Sequence, residues 1–270
     1  MPTVQDLRQQ AGDEPITMLT AYDAPSAGIV DEAGIDVVLV GDSVGNAALG
    51  YDSTLPVTVD EIASHTAAVA RATEDALVVA DMPFLSFGAD RGESVDHCGR
   101  MLKEANADAV KLESGPHTVD LTDHLTDLGI PVMAHLGLTP QHVNQLGGYG
   151  RQATTTEAAE RILDLAREHE EAGAFSLVLE HVPANVADQI TAALDIPTIG
   201  IGAGPDTDGQ VLVINDVFGL SERSPPFAEQ FGDVRGEMED AVAAYKSAVE
   251  SGQFPADAHS HVEEDIDDLY

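Results

Sequence analysis

Polar side chains follow several short apolar segments of this chain, and their types suit catalytic chemistry. Five successive segments end in such residues: Asp42 and Ser43, Asp81, Lys111 and Glu113, His135, and Glu180. If the segments are strands of a parallel barrel, these side chains meet at its carboxyl-terminal end, where the active sites of such barrels lie. A single strand-end aspartate is often only a solvent-facing loop residue, but five successive strands ending in this way indicate a functional site.

Two of the carboxylates, Asp42 and Asp81, follow neighbouring segments and offer hard oxygen ligands. Mg²⁺ usually takes one or two protein carboxylates and leaves its other positions to water and substrate. Glu113 could be a third ligand, or it could hold a metal-bound water. A cation here would polarise a 2-oxo carboxylate and stabilise the enolate that forms on deprotonation. The pattern therefore predicts a metal-assisted reaction next to a carbonyl group.

The other strand-end residues suit substrate binding and proton transfer. Lys111 adds positive charge toward a substrate carboxylate, and Ser43 can donate a hydrogen bond. Glu180 lies in an apolar run, where burial would raise its pKa toward the range of a general base. Lys111 could instead form a Schiff base. Glu113, two residues away, would keep the ammonium charged and argues against that role.

Three further positions could line the same pocket. His135 has no partner histidine at a zinc-ligand spacing, so a hydrogen-bonding role in the pocket is favoured over metal ligation. Gly200 and Gly202 lie in a stretch that superficially resembles a phosphate-binding loop. That stretch lacks the G-x-G-x-x-G order and no good helix follows it, so we expect tight-turn packing near the substrate.

Eight apolar, β-branched segments alternate with helix-like stretches along the chain. The predicted strands are residues 16–20, 36–40, 77–81, 108–112, 131–135, 175–180, 197–201 and 211–215. Their nearly continuous apolar character is typical of strands that are covered on both faces. A complete barrel of this kind usually takes about 250 residues, so eight such repeats in a chain of 270 residues predict an α/β fold of the (β/α)8 TIM barrel type. An open doubly wound sheet is the main alternative.

The domain organisation follows from the same pattern. No linker or shift in composition divides the chain, so residues 1–254 are predicted to form a single (β/α)8 barrel domain. In the seventh repeat, residues 202–210 are too few for a full helix. Residues 255–270 are acidic and show no convincing period, which indicates an acidic C-terminal tail outside the barrel.

The charge of the chain is unusual. Twelve lysines and arginines oppose 48 aspartates and glutamates, which gives a formal net charge of −36, and only three of the cations are lysines. Such a field repels phosphate backbones, so we expect no nucleic-acid partner. The acids are spread along the whole chain, as in proteins from the salt-rich cytoplasm of halophilic archaea. This distribution favours a surface adapted to salt over an interaction tail.

Membrane and secretory classes are not indicated either. The chain contains no run of 18 or more apolar residues, so no transmembrane helix is expected. Its first residues lack the basic-then-apolar order of a secretory signal. The one cysteine, Cys98, cannot form an internal disulfide or a cysteine-based zinc site. Together these features predict a cytoplasmic protein.

Eight stretches of the sequence carry the motifs of a known enzyme family, in the family's order. They are residues 16–23 (ITMLTAYD), 41–58 (GDSVGNAALGYDSTLPVT), 79–84 (VADMPF), 109–113 (AVKLE), 135–140 (HLGLTP), 145–149 (QLGGY), 179–184 (LEHVPA) and 197–209 (PTIGIGAGPDTDG). With these motifs the chain resembles the ketopantoate hydroxymethyltransferases from about residue 3 to residue 250. GDS followed by GYDSTLPVT is a very specific signature.

The resemblance implies a (β/α)8 barrel that uses Mg²⁺. It also implies transfer of a hydroxymethyl group to 3-methyl-2-oxobutanoate, which gives 2-dehydropantoate on the route to pantothenate and coenzyme A. The implied donor is 5,10-methylenetetrahydrofolate or a related pterin, so the partners are small molecules. Members of the family are commonly ring-based homo-oligomers, and the same is implied for this chain.

Single residues take on roles through the resemblance. The matches to metal-binding positions are Asp42, Asp81 and Glu113, the matches to substrate-binding positions are Asp42, Ser43, Asp81 and Lys111, and the match to the catalytic base is Glu180. These roles agree with the chemistry that the strand-end side chains suggest by themselves.

The nearest rival function is that of a magnesium-dependent 2-oxo-acid lyase or mutase of the phosphoenolpyruvate mutase/isocitrate lyase type. Such an enzyme would carry a catalytic cysteine in a mobile loop, whereas Cys98 lies in a helix-like segment. A catalytically silent barrel used as an assembly scaffold is a rival from another class. The intact set of carboxylates argues against a silent barrel.

Overall fold

The apolar segments form parallel strands in the computed structural model, which describes residues 3–12, 14–221 and 223–263. The strands are β1 (Ile16–Thr20), β2 (Val37–Val40), β3 (Leu77–Asp81), β4 (Ala109–Glu113), β5 (Val132–Gly137), β6 (Ser176–Glu180), β7 (Thr198–Ile201) and β8 (Gly209–Leu212). Each strand pairs with the next along the chain, and β1 pairs with β8, which closes a barrel. The predicted (β/α)8 barrel is confirmed, and the alternative of an open sheet is wrong.

The first seven strands lie within two residues of their predicted positions, but the eighth is displaced. We predicted it at residues 211–215, whereas β8 begins at Gly209 and a helix already starts at Ile214. Residues 202–208, all of them described, form no helix, as predicted, and they return to the barrel two residues sooner than expected. Gly209 permits the closing contact with β1, since a Cβ there would lie 2.4 Å from the carbonyl oxygen of Ile16.

Helices follow the strands where helix-starting signals are strong. They are α1 (Val4–Gln9), α2 (Ala24–Glu32), α3 (Val44–Ala47), α4 (Val59–Ala70), α5 (Arg91–Lys103), α6 (Val119–Asp127), α7 (Val143–Leu146), α8 (Thr156–Glu171), α9 (Ala184–Thr191), α10 (Ile214–Val217) and α11 (Val234–Glu250), with short 3-10 helices at Pro140–His142 and Asp257–His259. Side chains of Thr58, Asp90 and Thr155 accept hydrogen bonds from the first turns of α4, α5 and α8, which fixes where these helices begin. None of the helices in the described ranges has the length and apolar character needed to cross a membrane.

The amino-terminal end of the barrel is closed by apolar packing. A buried cluster joins Leu7 of α1 to residues near the beginnings of strands, among them Ile16, Val37 and Leu77. Leu7 is 1% exposed, and burying a leucine side chain this completely stabilises the fold by roughly 2 kcal/mol. Because this end is filled with apolar side chains, the polar chemistry is confined to the carboxyl-terminal end of the strands.

The chain groups into two compact units. The first contains the residues up to 214 together with 225–228, and it holds the whole barrel with α1 to α9. The second contains residues 215–224 and those from 229 onward, with α11 as its main element. Within the second unit, the backbone N–H of Val234 donates to the carbonyl of Phe218 at 3.0 Å, which fixes the start of α11. The assignment of residues 1–254 to a single domain stays a prediction.

The predicted acidic tail, residues 255–270, is described only as far as residue 263. Residues 255–263 are exposed and include the short helix Asp257–His259. Residues 264–270 lie outside the described residues. The separation of this tail from the barrel domain stays a prediction as well.

Candidate active site

Strand register brings the predicted site residues together at the carboxyl-terminal end of the barrel. Asp81 is the register partner of Lys111 on the next strand, and Glu113 is the partner of His135. Glu180 ends β6, beside the end of β5. The first four of these side chains are buried and Glu180 is half-buried. Side chains from four successive strands therefore converge on one volume.

Asp42 and Asp81 lie next to each other, the first in the turn after β2 and the second at the end of β3. The backbone N–H of Asp42 donates to Oδ2 of Asp81 at 3.2 Å. Gly41 makes this turn possible because a Cβ there would lie 2.6 Å from Oγ of Ser43. The two carboxylates form an oxygen-rich edge of the site.

Lys111 brings a buried positive charge to the site. Its Nζ lies 2.8 Å from Oδ1 of Asp81 and 3.3 Å from Nδ1 of His135. Burial by itself would lower the pKa of Lys111, but the carboxylates of Asp81, Asp42 and Glu113 outweigh it and raise that pKa above its ordinary value. An ammonium that stays charged suits a substrate carboxylate and does not suit Schiff-base formation.

His135 connects this lysine to the predicted base. Its Nε2 lies 3.1 Å from Oε2 of Glu180. Burial, helped by the charge of Lys111, lowers the pKa of His135 to about 3, so the ring is neutral. Since the ammonium of Lys111 can only donate, Nδ1 accepts its hydrogen bond and Nε2 carries the ring proton. Nε2 makes no hydrogen bond to the described residues, so its contact with Glu180 is one of proximity.

Glu180 has the acid–base properties that a general base needs. Burial raises its pKa to about 7, against a lowering by Lys111. A carboxylate with a pKa near neutrality is basic enough to accept a proton from carbon and is still ionised at the working pH. The side chain is 16% exposed, so a substrate in the barrel mouth can reach it.

Gln141 is a site residue that the sequence reasoning missed. It is 4% exposed and lies in the short helix Pro140–His142, after β5. Its Nε2 donates to Oδ2 of Asp42 at 3.0 Å, and its backbone N–H lies 3.1 Å from both oxygens of Glu113. The only sequence signal is a proline directly after Thr139, which starts a helical turn at the barrel mouth.

Glu113 is therefore held by the chain around it. Besides the N–H of Gln141, its Oε2 faces Nδ1 of His142 at 3.6 Å. These contacts favour the supporting role that we considered, in which the carboxylate holds a metal-bound water. Its assignment as a direct metal ligand stays a prediction.

Ser43 is positioned by a residue that we did not single out. Its Oγ lies 2.8 Å from the phenolic oxygen of Tyr22, which is buried at the end of the loop after β1. This contact aims the serine hydroxyl and pairs it with a second hydroxyl group. Together the two can share hydrogen bonds with an oxygen-rich substrate.

The two predicted pocket glycines have different surroundings. A Cβ on Gly200 would lie 2.7 Å from Oγ1 of Thr207, so this position serves close packing after β7. Gly202 has a φ of +61°, and a Cβ there would lie 2.7 Å from the ring of Phe227. Gly202 and Phe227 help to line a cavity of about 630 Å³ beside the barrel mouth. Phe227 was not predicted, because its place in the cavity depends on a loop 25 residues away in sequence.

The balance of buried charge fits a divalent cation. The carboxylates of Asp42, Asp81, Glu113 and Glu180 surround the ammonium of Lys111, and burial raises the pKa of Asp81 to about 8 and that of Glu113 above its ordinary value. A cation on Asp42 and Asp81 would offset this excess of negative charge. No three His, Cys, Asp or Glu side chains of the described ranges lie close enough together to hold a metal alone. The donor set therefore fits Mg²⁺ on two carboxylates, with water and substrate completing its shell.

Comparison with known proteins gives consistent results. The family model of ketopantoate hydroxymethyltransferase matches residues 2–257. A relative from Halobacterium salinarum named 3-methyl-2-oxobutanoate hydroxymethyltransferase is 73% identical, with all of both chains covered. A relative of the same name from Haloarcula marismortui is 72% identical, again with all of both chains covered. Both organisms are halophilic archaea, which confirms the kinship that the acidic composition predicts.

The fold likeness extends to a more distant enzyme. A crystal structure of phosphonopyruvate hydrolase in complex with oxalate and Mg²⁺ has a TM-score of 0.60 at 14% identity, with 98% of this chain and 94% of that chain covered. At that identity the likeness shows the shared barrel and no more. Membership is decided by the family model and the full-length relatives: this chain belongs to the ketopantoate hydroxymethyltransferase family.

Proposed function

We propose that this chain transfers a hydroxymethyl group to 3-methyl-2-oxobutanoate and forms 2-dehydropantoate, as in pantothenate and coenzyme A biosynthesis. The donor would be 5,10-methylenetetrahydrofolate or a related pterin. The observation that carries the proposal is the half-buried carboxylate of Glu180, which lies at the same end of the barrel as the Asp42–Asp81 pair and 3.1 Å from Nε2 of His135. Family membership and the names of the full-length relatives support the same reaction.

Substrate binding follows from the charges around this volume. When bound at Asp42 and Asp81, Mg²⁺ would supply electrostatic stabilisation of negative charge on the 2-oxo acid. Lys111 attracts the substrate carboxylate with an ammonium that its neighbours keep charged. Ser43 and Tyr22 add a pair of hydroxyl groups at the rim. The substrate is thereby held with its C3 carbon toward Glu180.

Proton transfer is the task of Glu180. Its free oxygen accepts the C3 proton, and the electron pair of the broken C–H bond makes C3 a nucleophile. C3 then forms a carbon–carbon bond with the methylene carbon of the donor. The overall reaction consumes one water, whose oxygen becomes the hydroxyl of the transferred group, and it releases the tetrahydropterin.

The rival function of a 2-oxo-acid lyase or mutase has less support. The fold is shared with phosphonopyruvate hydrolase, whose structure contains oxalate and Mg²⁺, but the 14% identity carries no argument about the reaction. The cysteine that such an enzyme would use is not available at the barrel mouth. Cys98 is completely buried in α5, and burial raises the pKa of its thiol to about 12.

We also propose that the protein works as a homo-oligomer. Helix α11 carries exposed apolar side chains at Met238, Val242, Tyr245 and Val249, with spacings of four, three and four residues. Such spacing puts all four on one face of the helix. An exposed apolar stripe of this kind is typical of a surface that packs against a partner. A ring-shaped assembly and a cytoplasmic location stay predictions.

A donor-free exchange assay tests the proposed function. The protein is mixed with 3-methyl-2-oxobutanoate in D₂O containing molar KCl, with and without Mg²⁺, and the C3 proton is followed by NMR. We expect loss of this signal that depends on Mg²⁺. Glu180→Gln should slow it by about 10²–10⁴-fold, because the amide cannot accept the proton.

The control for this assay is Glu168→Gln, which changes an exposed carboxylate on α8. It should exchange like the parent protein. Absence of metal-dependent exchange in folded parent protein, or undiminished exchange in Glu180→Gln, would refute the assigned reaction and the assigned base respectively.

A further inference from the structure

A cavity of about 630 Å³ is lined partly by the loop that follows Glu180. Its wall begins at Val182, two residues after Glu180, and continues on the neighbouring strand at Gly202. The two strands are locked in register here, because the N–H of His181 donates to the carbonyl of Ile201 at 2.8 Å. The volume lies within the range of pockets that bind small organic ligands. The cavity therefore lies beside the ends of the two strands β6 and β7, the first of which carries Glu180.

One wall of the cavity is flat and aromatic. The ring of Phe227 lies over Gly202, where any side chain would collide with it. The imidazole of His181 lies 5.4 Å from the ring of Phe227, which extends the aromatic surface toward the base. A planar heteroaromatic ring gains most from such a wall through offset stacking. The amide nitrogen of Gln210, also in the lining, already donates to the carbonyl of Gly204 and to Oγ1 of Thr207, which leaves its Oε1 to accept from a ring N–H.

The charge of the lining is opposite to that of the rest of the chain. The nine lining residues are Arg151, Val182, Pro183, Ala184, Gly202, Gly204, Pro205, Gln210 and Phe227. None is acidic, in a chain with 48 aspartates and glutamates and only 12 lysines and arginines. Arg151 is exposed at the rim, and its segment is attached to the end of β6 because the N–H of Gln152 donates to the carbonyl of His181 at 3.0 Å.

We propose that this cavity binds the one-carbon donor, with the pterin ring against Phe227 and the anionic tail at Arg151. This inference rests on the proposed function, since it assigns a binding site to the second substrate of that reaction. A fork of guanidinium donors recognises carboxylate and phosphate groups alike. The shared chemistry of the ligand is therefore a planar pterin with an acidic tail. Bound in this way, it presents its methylene carbon to the C3 carbon beside Glu180.

The test compares a complete donor with a truncated one. The complete donor is 5,10-methylenetetrahydrofolate. The truncated donor carries the same methylene bridge between N5 and N10 but has a plain aniline in place of the aminobenzoyl-glutamate, so it keeps the transferable carbon and lacks every carboxylate of the tail. For Arg151→Gln we expect the KM for the complete donor to rise about tenfold or more, because a charge-assisted contact is lost. The KM for the truncated donor should stay within about twofold, since that donor never makes the contact. A donor with a phosphate-bearing tail, run in parallel, shows which anion Arg151 prefers.

Phe227→Leu tests the ring subsite independently. Loss of the aromatic wall should raise the KM for both donors by a similar factor, because both carry the pterin ring. Arg167→Gln is the matched control. Arg167 is also an exposed arginine but lies on α8, outside the cavity, so its replacement should change the KM for neither donor. A rise for Arg151→Gln that is equal for both donors would point to a structural role and overturn the assignment. No rise for either donor would also overturn it.

The donor-free exchange assay separates this inference from the proposed function. Exchange of the C3 proton does not involve the donor, so Arg151→Gln should show the same exchange rate as the parent. If the parent itself fails to exchange, the proposed reaction is wrong. If exchange is normal and the two donors respond identically to Arg151→Gln, the reaction stands and the donor site is wrong.

Discussion

Asp81, Lys111, His135 and Glu180 form one chain of contacts from β3 to β6, with distances of 2.8, 3.3 and 3.1 Å. Each group sets the state of the next. The carboxylates keep the lysine charged, the lysine makes Nδ1 of the histidine an acceptor, and Nε2 therefore carries the ring proton. His135 therefore lies between the charged lysine and the predicted base, with its protonated Nε2 3.1 Å from Oε2 of Glu180.

The pKa of Glu180 predicts the pH dependence of the first step. Burial raises this pKa to about 7, so below that pH the base is protonated and cannot accept the C3 proton. We expect the exchange rate to rise about tenfold per unit of pH below pH 7 and to level off above it. A pH–rate profile of deuterium exchange in molar KCl measures this. A rate that is flat across this range would contradict the role of Glu180.

Gln141 should control the affinity for the metal without touching it. In Gln141→Leu, Asp42 loses the amide that orients its Oδ2. Removal of such an outer-sphere partner typically weakens metal binding by about 10–100-fold. Titration with Mg²⁺, followed by calorimetry, measures the change in Kd. Gln189→Leu, an exposed substitution on α9, serves as the control and should bind Mg²⁺ like the parent. Equal affinities for the two variants would remove Gln141 from the metal site.

Among the elements, α11 differs from the helices that follow the strands. It has 17 residues, and none of them is buried. Its apolar stripe of Met238, Val242, Tyr245 and Val249 stays exposed, from 45% to 67% of each side chain. Apolar surface in this arrangement favours association, and molar salt screens the repulsion between two acidic subunits that would otherwise oppose it. The second unit of the chain is therefore the part from which we expect subunit contacts.

Val242→Glu tests this expectation. A carboxylate in the centre of the stripe would have to be buried on association, which costs far more than leaving it in water. We expect the variant to elute as a smaller species than the parent in size-exclusion chromatography with light scattering, at molar KCl. Ala244→Glu adds the same charge on the opposite face of α11 and should leave the assembly intact. Identical sizes for Val242→Glu and the parent would exclude the stripe as an interface.

For the whole molecule, charge sets the conditions of stability. The formal net charge is −36, and the acids far outnumber the cations that could pair with them. At about 1 M salt the Debye length is near 3 Å, so these charges are screened from one another, whereas at about 0.01 M it is near 30 Å. The compact state is then opposed by repulsion across the entire surface. The protein stays folded only while the stabilisation from the hydrophobic core exceeds that repulsion.

The protein should therefore unfold as salt is removed. We expect the helical circular dichroism signal to fall when KCl is lowered from about 1 M to about 0.01 M at neutral pH. Restoring KCl, or lowering the pH so that surface carboxylates take up protons, should recover part of the signal. A spectrum that stays unchanged over the whole range would show that the acidic surface is not an adaptation to salt.

The local sequence pattern was enough to predict the strands and the end of the barrel at which the site residues lie. Apolar runs bounded by glycine and polar residues located the strands, since both faces of a barrel strand are covered and its sequence is apolar throughout. Strand order then placed Asp42, Asp81, Lys111, Glu113, His135 and Glu180 at one end, because all strands of a (β/α)8 barrel run in the same direction. The composition determined the acidic character of the chain and predicts a surface adapted to salt.

Only the tertiary structure decided which of these groups touch. Gln141 reaches Asp42 across 99 residues of sequence, a contact that depends on closure of the barrel and on the turn after β5. The tautomer of His135 follows from Lys111 on one side and Glu180 on the other, and neither is near it in the chain. The start of β8 shifted because Gly209 lets two backbones approach. Sequence periodicity reports how each segment is buried, whereas contacts between distant segments depend on how the strands close.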